Sequence, residues 1–171
     1  TGRLGDNTII NKSTPIAVLG VAKTFCQISG GSTHSMAIDK NGKAWGWGQA
    51  SGGALGDNSS VQKNTPVSVF GTKTFCKITA SISFTLSIDK NGKAWAWGTN
   101  TSGQLGDNTL VSKLTPIAVL GAAKTFCKIS TGNAFTIAID KNGRVWGWGL
   151  NSSGQLGSNN FVTTPVAVCT I

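Results

Sequence analysis

The side chains with the widest chemical repertoire in this chain of 171 residues are four cysteines, one histidine and six aspartates, and glutamate is absent. Nucleophilic catalysis would need a serine or cysteine beside a base, and His34 is the only imidazole on offer. Its counterparts at the same register further along the chain are Phe84 and Phe135. A position that accepts phenylalanine twice is a packing position, so no catalytic residue is expected. Cys26, Cys76 and Cys127 recur about 50 residues apart at one register, while Cys169 aligns with Leu120. That spacing places the first three in successive units, too far apart for disulfides, and no Cys-Xaa-Xaa-Cys pair exists to hold a metal. All four thiols read as free, buried, small hydrophobes, which leans towards a reducing compartment. Asp6, Asp57 and Asp107 sit in Gly-Asp-Asn loops, and Asp39, Asp89 and Asp140 in Asp-Lys-Asn-Gly turns. One carboxylate per loop falls short of the oxygens calcium needs, and an Asx-turn accounts for aspartate there. No metal and no cofactor is expected. Glycine strings such as Gly46-Trp47-Gly48 precede no helix that would cradle a phosphate.

The elements that position these residues come from an internal repeat. Leu4-Gly5-Asp6-Asn7, Leu55-Gly56-Asp57-Asn58 and Leu105-Gly106-Asp107-Asn108 open three units, and Leu156-Gly157-Ser158-Asn159 a fourth. The chain thus divides into units of approximately 4–54, 55–104 and 105–155 and a partial one at 156–171, one array over residues 1–171. Each unit carries Thr-Pro and alternating apolar residues, as in Thr65-Pro66-Val67-Ser68-Val69, with proline at the strand start where its missing N–H does no harm. A Phe-Cys-Xaa-Ile segment follows, and its adjacent apolar residues suggest a strand covered on both faces. Then comes a period-two stretch such as Thr85-Leu86-Ser87-Ile88, an Asn-Gly pair, and a strand ending Trp95-Ala96-Trp97-Gly98. Asn-Gly between alternating segments is a strong hairpin signal, because both residues accept positive φ. The small residues Gly46, Ala96 and Gly147 between paired tryptophans imply close approach of a neighbouring sheet. Trp45, Trp47, Trp95, Trp97, Trp146 and Trp148 are therefore the expected glue between units. Four short strands per repeat of about 50 residues describe a blade of a β-propeller.

Gly30-Gly31-Ser32-Thr33-His34-Ser35 running to Trp47-Gly48, with Ser102-Gly103-Gln104-Leu105-Gly106 and the Thr-Pro and Asp-Xaa-Asn-Gly elements, resembles the repeats of the regulator of chromosome condensation family. The resemblance covers the whole chain and implies an all-β fold: a partial β-propeller, about 3.4 four-stranded blades of a seven-bladed ring, with blades that can be offset from the sequence units. It also implies a protein, chromatin or membrane-associated interaction platform. The founding member's nucleotide exchange on a small GTPase depends on surface loops that no residue here matches.

A formal charge of +9 raises nucleic acid as a partner. The lysines nevertheless recur at fixed places, Lys23, Lys73 and Lys124 or Lys40, Lys90 and Lys141, which describes solvated turns spread around a body with no single basic stripe. No apolar run is long enough for a transmembrane helix. An arc of blades needs its ends covered, by the rest of a longer chain or by a second copy. The preferred function is a non-catalytic interaction module whose variable loops, 49–54, 59–64, 99–104, 109–114 and 150–155, meet a protein or other macromolecular partner. Gln49, Ser51, Gln62, Lys63, Asn100, Thr101, Asn151 and Ser152 are its candidate contact residues. A structural component of a surface, fibre or particle is the alternative, and an exchange factor by family analogy the second alternative.

Overall fold

In the computed structural model, which describes residues 1–19, 24–121, 125–157 and 162–168, every Asn-Gly pair closes an antiparallel hairpin. The hairpin glycines Gly42, Gly92 and Gly143 take φ of +82°, +82° and +81°, a region in which a side chain is strained. Strands gather around these hairpins into three sheets. Blade I comprises β1 (Phe25–Gly30), β2 (His34–Asp39), β3 (Ala44–Gly48) and β4 (Lys63–Ser68). Blade II comprises β5 (Phe75–Ala80), β6 (Phe84–Asp89), β7 (Ala94–Gly98) and β8 (Lys113–Ala118). Blade III comprises β9 (Phe126–Thr131), β10 (Phe135–Asp140), β11 (Val145–Gly149) and β12 (Val162–Ala167). Each sheet is antiparallel with its strands in chain order, and a turn of 3-10 helix at Ser51–Gly53 is the sole helical segment among the described residues. Lys23, Lys124, Cys169, Ser158 and Asn159 lie outside the described residues.

Blades and sequence units are out of phase by one strand. The Thr-Pro strand of each unit closes the sheet of the unit before it: in β4, Val67 faces Gly46 of β3 and Ser68 faces Trp45. The first Thr-Pro segment, Thr14-Pro15, forms no strand, and Ile16, Val18 and Leu19 are exposed.

The expectation that the Phe-Cys-Xaa-Ile strand is covered on both faces holds in blade II, where Phe75 and Ile78 pack in the cluster shared with blade I and Cys76 against the cluster shared with blade III, and does not hold in blade I. Phe25 pairs with Asp39 and Gln27 with Ile38, so Cys26 is the extra residue of a β-bulge, and Ile28 is 80% exposed. The same slip sits at Cys76 and Cys127. The bulge and two-sided burial coincide at the adjacent apolar residues of blade II, where Phe75 packs towards blade I and Cys76 towards blade III. The picture of buried thiols needs correction: Cys26 is exposed, and Cys76 and Cys127 are half-buried. All three are free, and each thiol reaches the carbonyl of the hairpin aspartate at 3.4 Å.

Apolar burial lies between blades. Met36, Ile38, Ala44 and Val69 of blade I pack with Phe75, Ala80 and Trp97 of blade II. Leu86, Ile88 and Ala94 of blade II pack in the same way with Phe126 and Trp148 of blade III. The corresponding face of blade III, with Ile137 and Val145, is exposed. The small residue between the tryptophans makes room for something other than a neighbouring sheet. A Cβ on Gly46 would meet Met36 Sδ at 2.9 Å and Leu55 Cδ2 at 3.3 Å, and one on Gly147 would meet Leu156 at 3.1 Å. The leucine of the following Leu-Gly motif fills that space.

Candidate functional site

Alternating strand direction sorts the connections onto two rims. The hairpins at 39–43, 89–93 and 140–144 occupy one. The linkers at 49–62 and 99–112 and the described part of the third, 150–157, together with the turns between the first two strands of each blade, occupy the other.

Each linker is locked by its aspartate. Asp57 accepts hydrogen bonds from the Ser59 N–H and hydroxyl at 3.2 and 3.0 Å, and Lys63 Nζ stands 3.7 Å away. Asp107 does the same with Thr109 and Lys113, and Asp6 with Thr8 and Lys12. The Thr8 hydroxyl, helped by the Thr8 N–H and Lys12, holds the Asp6 carboxyl below its ordinary pKa against partial desolvation. At Asp107 burial opposes ionisation most strongly, but Thr109, Asn100 and Lys113 together outweigh it and the pKa is again lowered. Asn7, Asn58 and Asn108 follow at φ of +61°, +64° and +59°, a conformation asparagine tolerates better than most side chains. Their N–H groups donate to Asn64, Leu114 and Thr163 of the outer strands, tying linker to sheet at 3.0 to 3.1 Å. The locked loops hold apolar tips in water: Val61 is 62% exposed and Leu110 and Val111 are 53% and 63% exposed, with Ile9 and Ile10 equivalent to them.

The eight expected contact residues all fall on this linker rim, in different environments. Ser51, Gln62, Thr101 and Ser152 are exposed, and Gln49 and Lys63 are half-buried, with Lys63 turned to Asp57. Asn151 is half-buried and its Oδ1 accepts the Leu156 N–H at 2.8 Å. Asn100 needs correction as a contact residue. It is fully buried; its amide donates to Asp107 Oδ1 and Thr109 O, each at 2.9 Å, and its Oδ1 accepts the Leu105 N–H. Asn100 builds the loop and cannot touch a partner. The apolar tips Val61, Leu110 and Val111 lie inside the variable loops 59–64 and 109–114 but are not among the eight polar candidates. Their signal was a pair of residues, at least one aliphatic, beginning three positions after each aspartate, with no strand alternation.

The inner end of each linker meets the tryptophans. Trp47, Trp97 and Trp148 are buried, and their indole N–H groups donate to the carbonyls of Arg3, Ala54 and Gln104 at 2.8, 3.0 and 3.0 Å. Ser35, Thr85 and Thr136 donate their hydroxyls to the same three carbonyls. His34 joins the middle set across the blade boundary, its Nε2 lying 2.9 Å from the Thr85 hydroxyl. Trp45, Trp95 and Trp146 are half-buried and point to the other rim, where their N–H groups donate to Asp39, Asp89 and Asp140 at 2.9 to 3.0 Å. At Asp140 the Trp146 bond, ahead of opposing burial and with the turn N–H groups and Arg144 assisting, lowers the carboxyl pKa.

Cations lie on both rims and on the strands: Arg3, Lys12, Lys63, Lys77, Lys113 and Lys128 are away from the hairpins. Lys40, Lys43, Lys73, Lys90 and Lys93 lie on the hairpin rim, with Lys141 and Arg144, because every blade sends the same hairpin to the same end. Among the described residues no three metal-binding side chains converge, and no helix is long and apolar enough to cross a membrane.

The regulator of chromosome condensation (RCC1) repeat is matched at residues 41–88, 91–139 and 142–171, and under a second delimitation at 25–53, 75–104 and 126–155. The chain belongs to this repeat family. Among solved RCC1-like propellers, human WBSCR16 superimposes with a TM-score of 0.82 at 18% identity, covering 97% of this chain and 44% of that one. Prp20p from Saccharomyces cerevisiae gives a TM-score of 0.71 at 21% identity over 82% of this chain and 37% of its own. A curated relative, BTB/POZ domain-containing protein 1 from Schizosaccharomyces pombe, is 35% identical over 69 residues, 40% of this chain and 5% of that protein. This RCC1-repeat chain therefore spans less than half the length of the relatives it matches, and the blades described above are propeller blades of that family.

Proposed function

We propose that the chain is a protein-interaction module and that its linker rim makes the contact. One observation supports this above others: successive blades hold different apolar tips, Val61 in one linker and Leu110 with Val111 in the next, exposed on loops made rigid by the Asp–Ser/Thr–Lys lock. Rigid loops lose little entropy on binding, and exposed aliphatic groups supply apolar area to bury. Variation on a constant scaffold is how loops acquire selectivity. Relatives are consistent with the partner class: Prp20p is described with binding properties to Gsp1p and histones, and yeast RCC1 (Prp20) in a complex with Kap60. Photo-crosslinking side chains placed at Val61 and Leu110 in the native host are expected to trap a discrete protein partner, while one at Asn91, exposed on the opposite hairpin rim, does not trap that partner. Equal trapping at all three positions would remove the reading.

The exposed apolar face of blade III is the surface on which a further blade of the same repeat would dock, as blades II and III dock on the faces before them. We propose that this blade is a further repeat of the same polypeptide. Native mass spectrometry is then expected to give a monomer, and a two-fold dimer formed through Ile137 and Val145 would count against it.

A further inference from the structure

We infer that Asn142 is a site of spontaneous deamidation, and that packing between blades protects its equivalents Asn41 and Asn91 from the same reaction. Asparagine followed by glycine is the dipeptide most open to this chemistry, because glycine has no side chain to keep its backbone nitrogen away from the asparagine amide carbon. The chain holds three such bonds, within Asp39-Lys40-Asn41-Gly42-Lys43, Asp89-Lys90-Asn91-Gly92-Lys93 and Asp140-Lys141-Asn142-Gly143-Arg144. Local sequence therefore sets nearly the same intrinsic rate at all three. Local geometry is shared as well: the glycines take φ of +82°, +82° and +81°, and each glycine N–H donates to the carbonyl of its hairpin aspartate at 2.9 to 3.0 Å. All three asparagines are exposed.

What differs is the blade beyond. The Gly42 carbonyl accepts the Phe75 N–H and the Gly92 carbonyl the Phe126 N–H, both at 2.7 Å, so the hairpins of blades I and II are clamped by the first strand of the next blade. Both glycines are buried, and a Cβ on either would meet Thr74 or Thr125 at 3.1 Å. Gly143 is exposed, with nothing within 4 Å of an added Cβ, and no N–H among the described residues reaches its carbonyl. The third hairpin is free to turn.

Ring closure needs that freedom. The Gly143 backbone nitrogen gives up its proton and attacks Asn142 Cγ, and the new C–N bond closes a succinimide ring as the side-chain nitrogen takes up a proton and leaves as ammonia. Water then opens the ring at either carbonyl, giving aspartate or isoaspartate. Water is consumed and ammonia released, and no oxidant or cofactor takes part. At Gly42 and Gly92 the same movement would pull the glycine carbonyl off its phenylalanine N–H. Isoaspartate also places an extra methylene in the main chain between the Asn142 and Arg144 N–H groups, which Asp140 Oδ1 accepts together at 2.8 and 3.0 Å. The lengthened turn breaks that pairing and loosens the Trp146 indole held by the same carboxylate. A further blade docked on blade III, as proposed above, would supply the missing clamp, so in a longer array conversion at Asn142 marks a last blade left uncovered. The linker rim takes no part in this chemistry.

The test is incubation of the folded chain in mildly alkaline buffer, with samples digested at acid pH and the amide-to-acid mass change followed at each asparagine by mass spectrometry. Asn142 is expected to convert roughly 2- to 12-fold faster than Asn41 and Asn91, the rate equivalent of one backbone hydrogen bond. In urea above the unfolding midpoint the three rates should converge. Asn142→Ser, at an exposed position, should remove the fast reaction and leave the rates at Asn41 and Asn91 as they were. Equal rates in the folded chain, faster conversion at Asn41 or Asn91, or an order that persists unchanged in urea would each overturn the assignment.

Discussion

Trp97→Ala is expected to lose about 3 to 5 kcal/mol of stability, the range for removing a large aromatic side chain from a packed core. Trp97 is fully buried, and it spans the boundary between blades by packing with Met36, Ile38 and Val69 of blade I. Its ring centre lies 5.8 Å from that of Phe75, and its N–H satisfies the Ala54 carbonyl, which the variant would leave with the Thr85 hydroxyl alone. The indole edge also packs on Gly56, 2.7 Å from the position of an added Cβ, and the φ of +70° at Gly56 strains any side chain placed there to refill the gap. At roughly 2 to 4 °C per kcal/mol for a domain of this size, the midpoint should fall by roughly 6 to 20 °C. Trp95→Ala, at a half-buried position, serves as comparison and should cost less. Thermal unfolding followed by circular dichroism decides it, and equal losses from the two substitutions would refute the proposed weight of the inner indole.

Acid should weaken the boundary between blades I and II, and His34→Phe should cure it. The Thr85 hydroxyl donates to Ala54, so its oxygen accepts from His34, which fixes the imidazole as the neutral tautomer protonated on Nε2. Nδ1 is buried with no hydrogen-bond partner among the described residues. Burial drives the pKa from 6.5 down to about 4, against a smaller opposing effect of the Ile82 backbone. Between those two values the unfolded chain binds more protons than the folded one, so stability falls as pH falls. The loss is complete below the folded value and amounts to about 3 kcal/mol relative to neutral pH. Phe84 and Phe135 already occupy this position in the other blades. Denaturant midpoints for the native chain should drop between pH 6.5 and 4, and those for His34→Phe should drop by clearly less; parallel curves would exclude His34 as the cause.

The blades were legible because their local chemistry is unambiguous. Asn-Gly at 41–42, 91–92 and 142–143 admits little but a tight hairpin, and alternation at Leu86 and Ile88 marks the face that the next blade covers. What escaped reading depends on distant contacts. Nothing local to Cys26 announces a bulge, since the slip appears only in the pairing with Asp39 and Ile38. Which tryptophan strand a Thr-Pro strand joins is likewise a matter of topology. Asn100 looks like any loop asparagine until Asp107 and Thr109 fold back over it. The charge on the hairpin rim escaped for the opposite reason. Each lysine is visible in the sequence, but periodicity along the chain does not say where the residues lie in space, and in a propeller a fixed register returns to the same end.

The one-strand phase difference between repeat and sheet bears on any attempt to shorten, lengthen or splice this array. A cassette cut at the Leu-Gly motif, between Ala54 and Leu55, would carry away β4 and leave Trp45 and Gly46 beside a raw edge, while its orphaned Thr-Pro segment had nothing to zip onto. Cutting at 69–74, between β4 and β5, moves whole sheets instead. The same stitching means that no single repeat can melt without unravelling the sheet of its neighbour, so the array should behave as one cooperative unit and not as beads on a string.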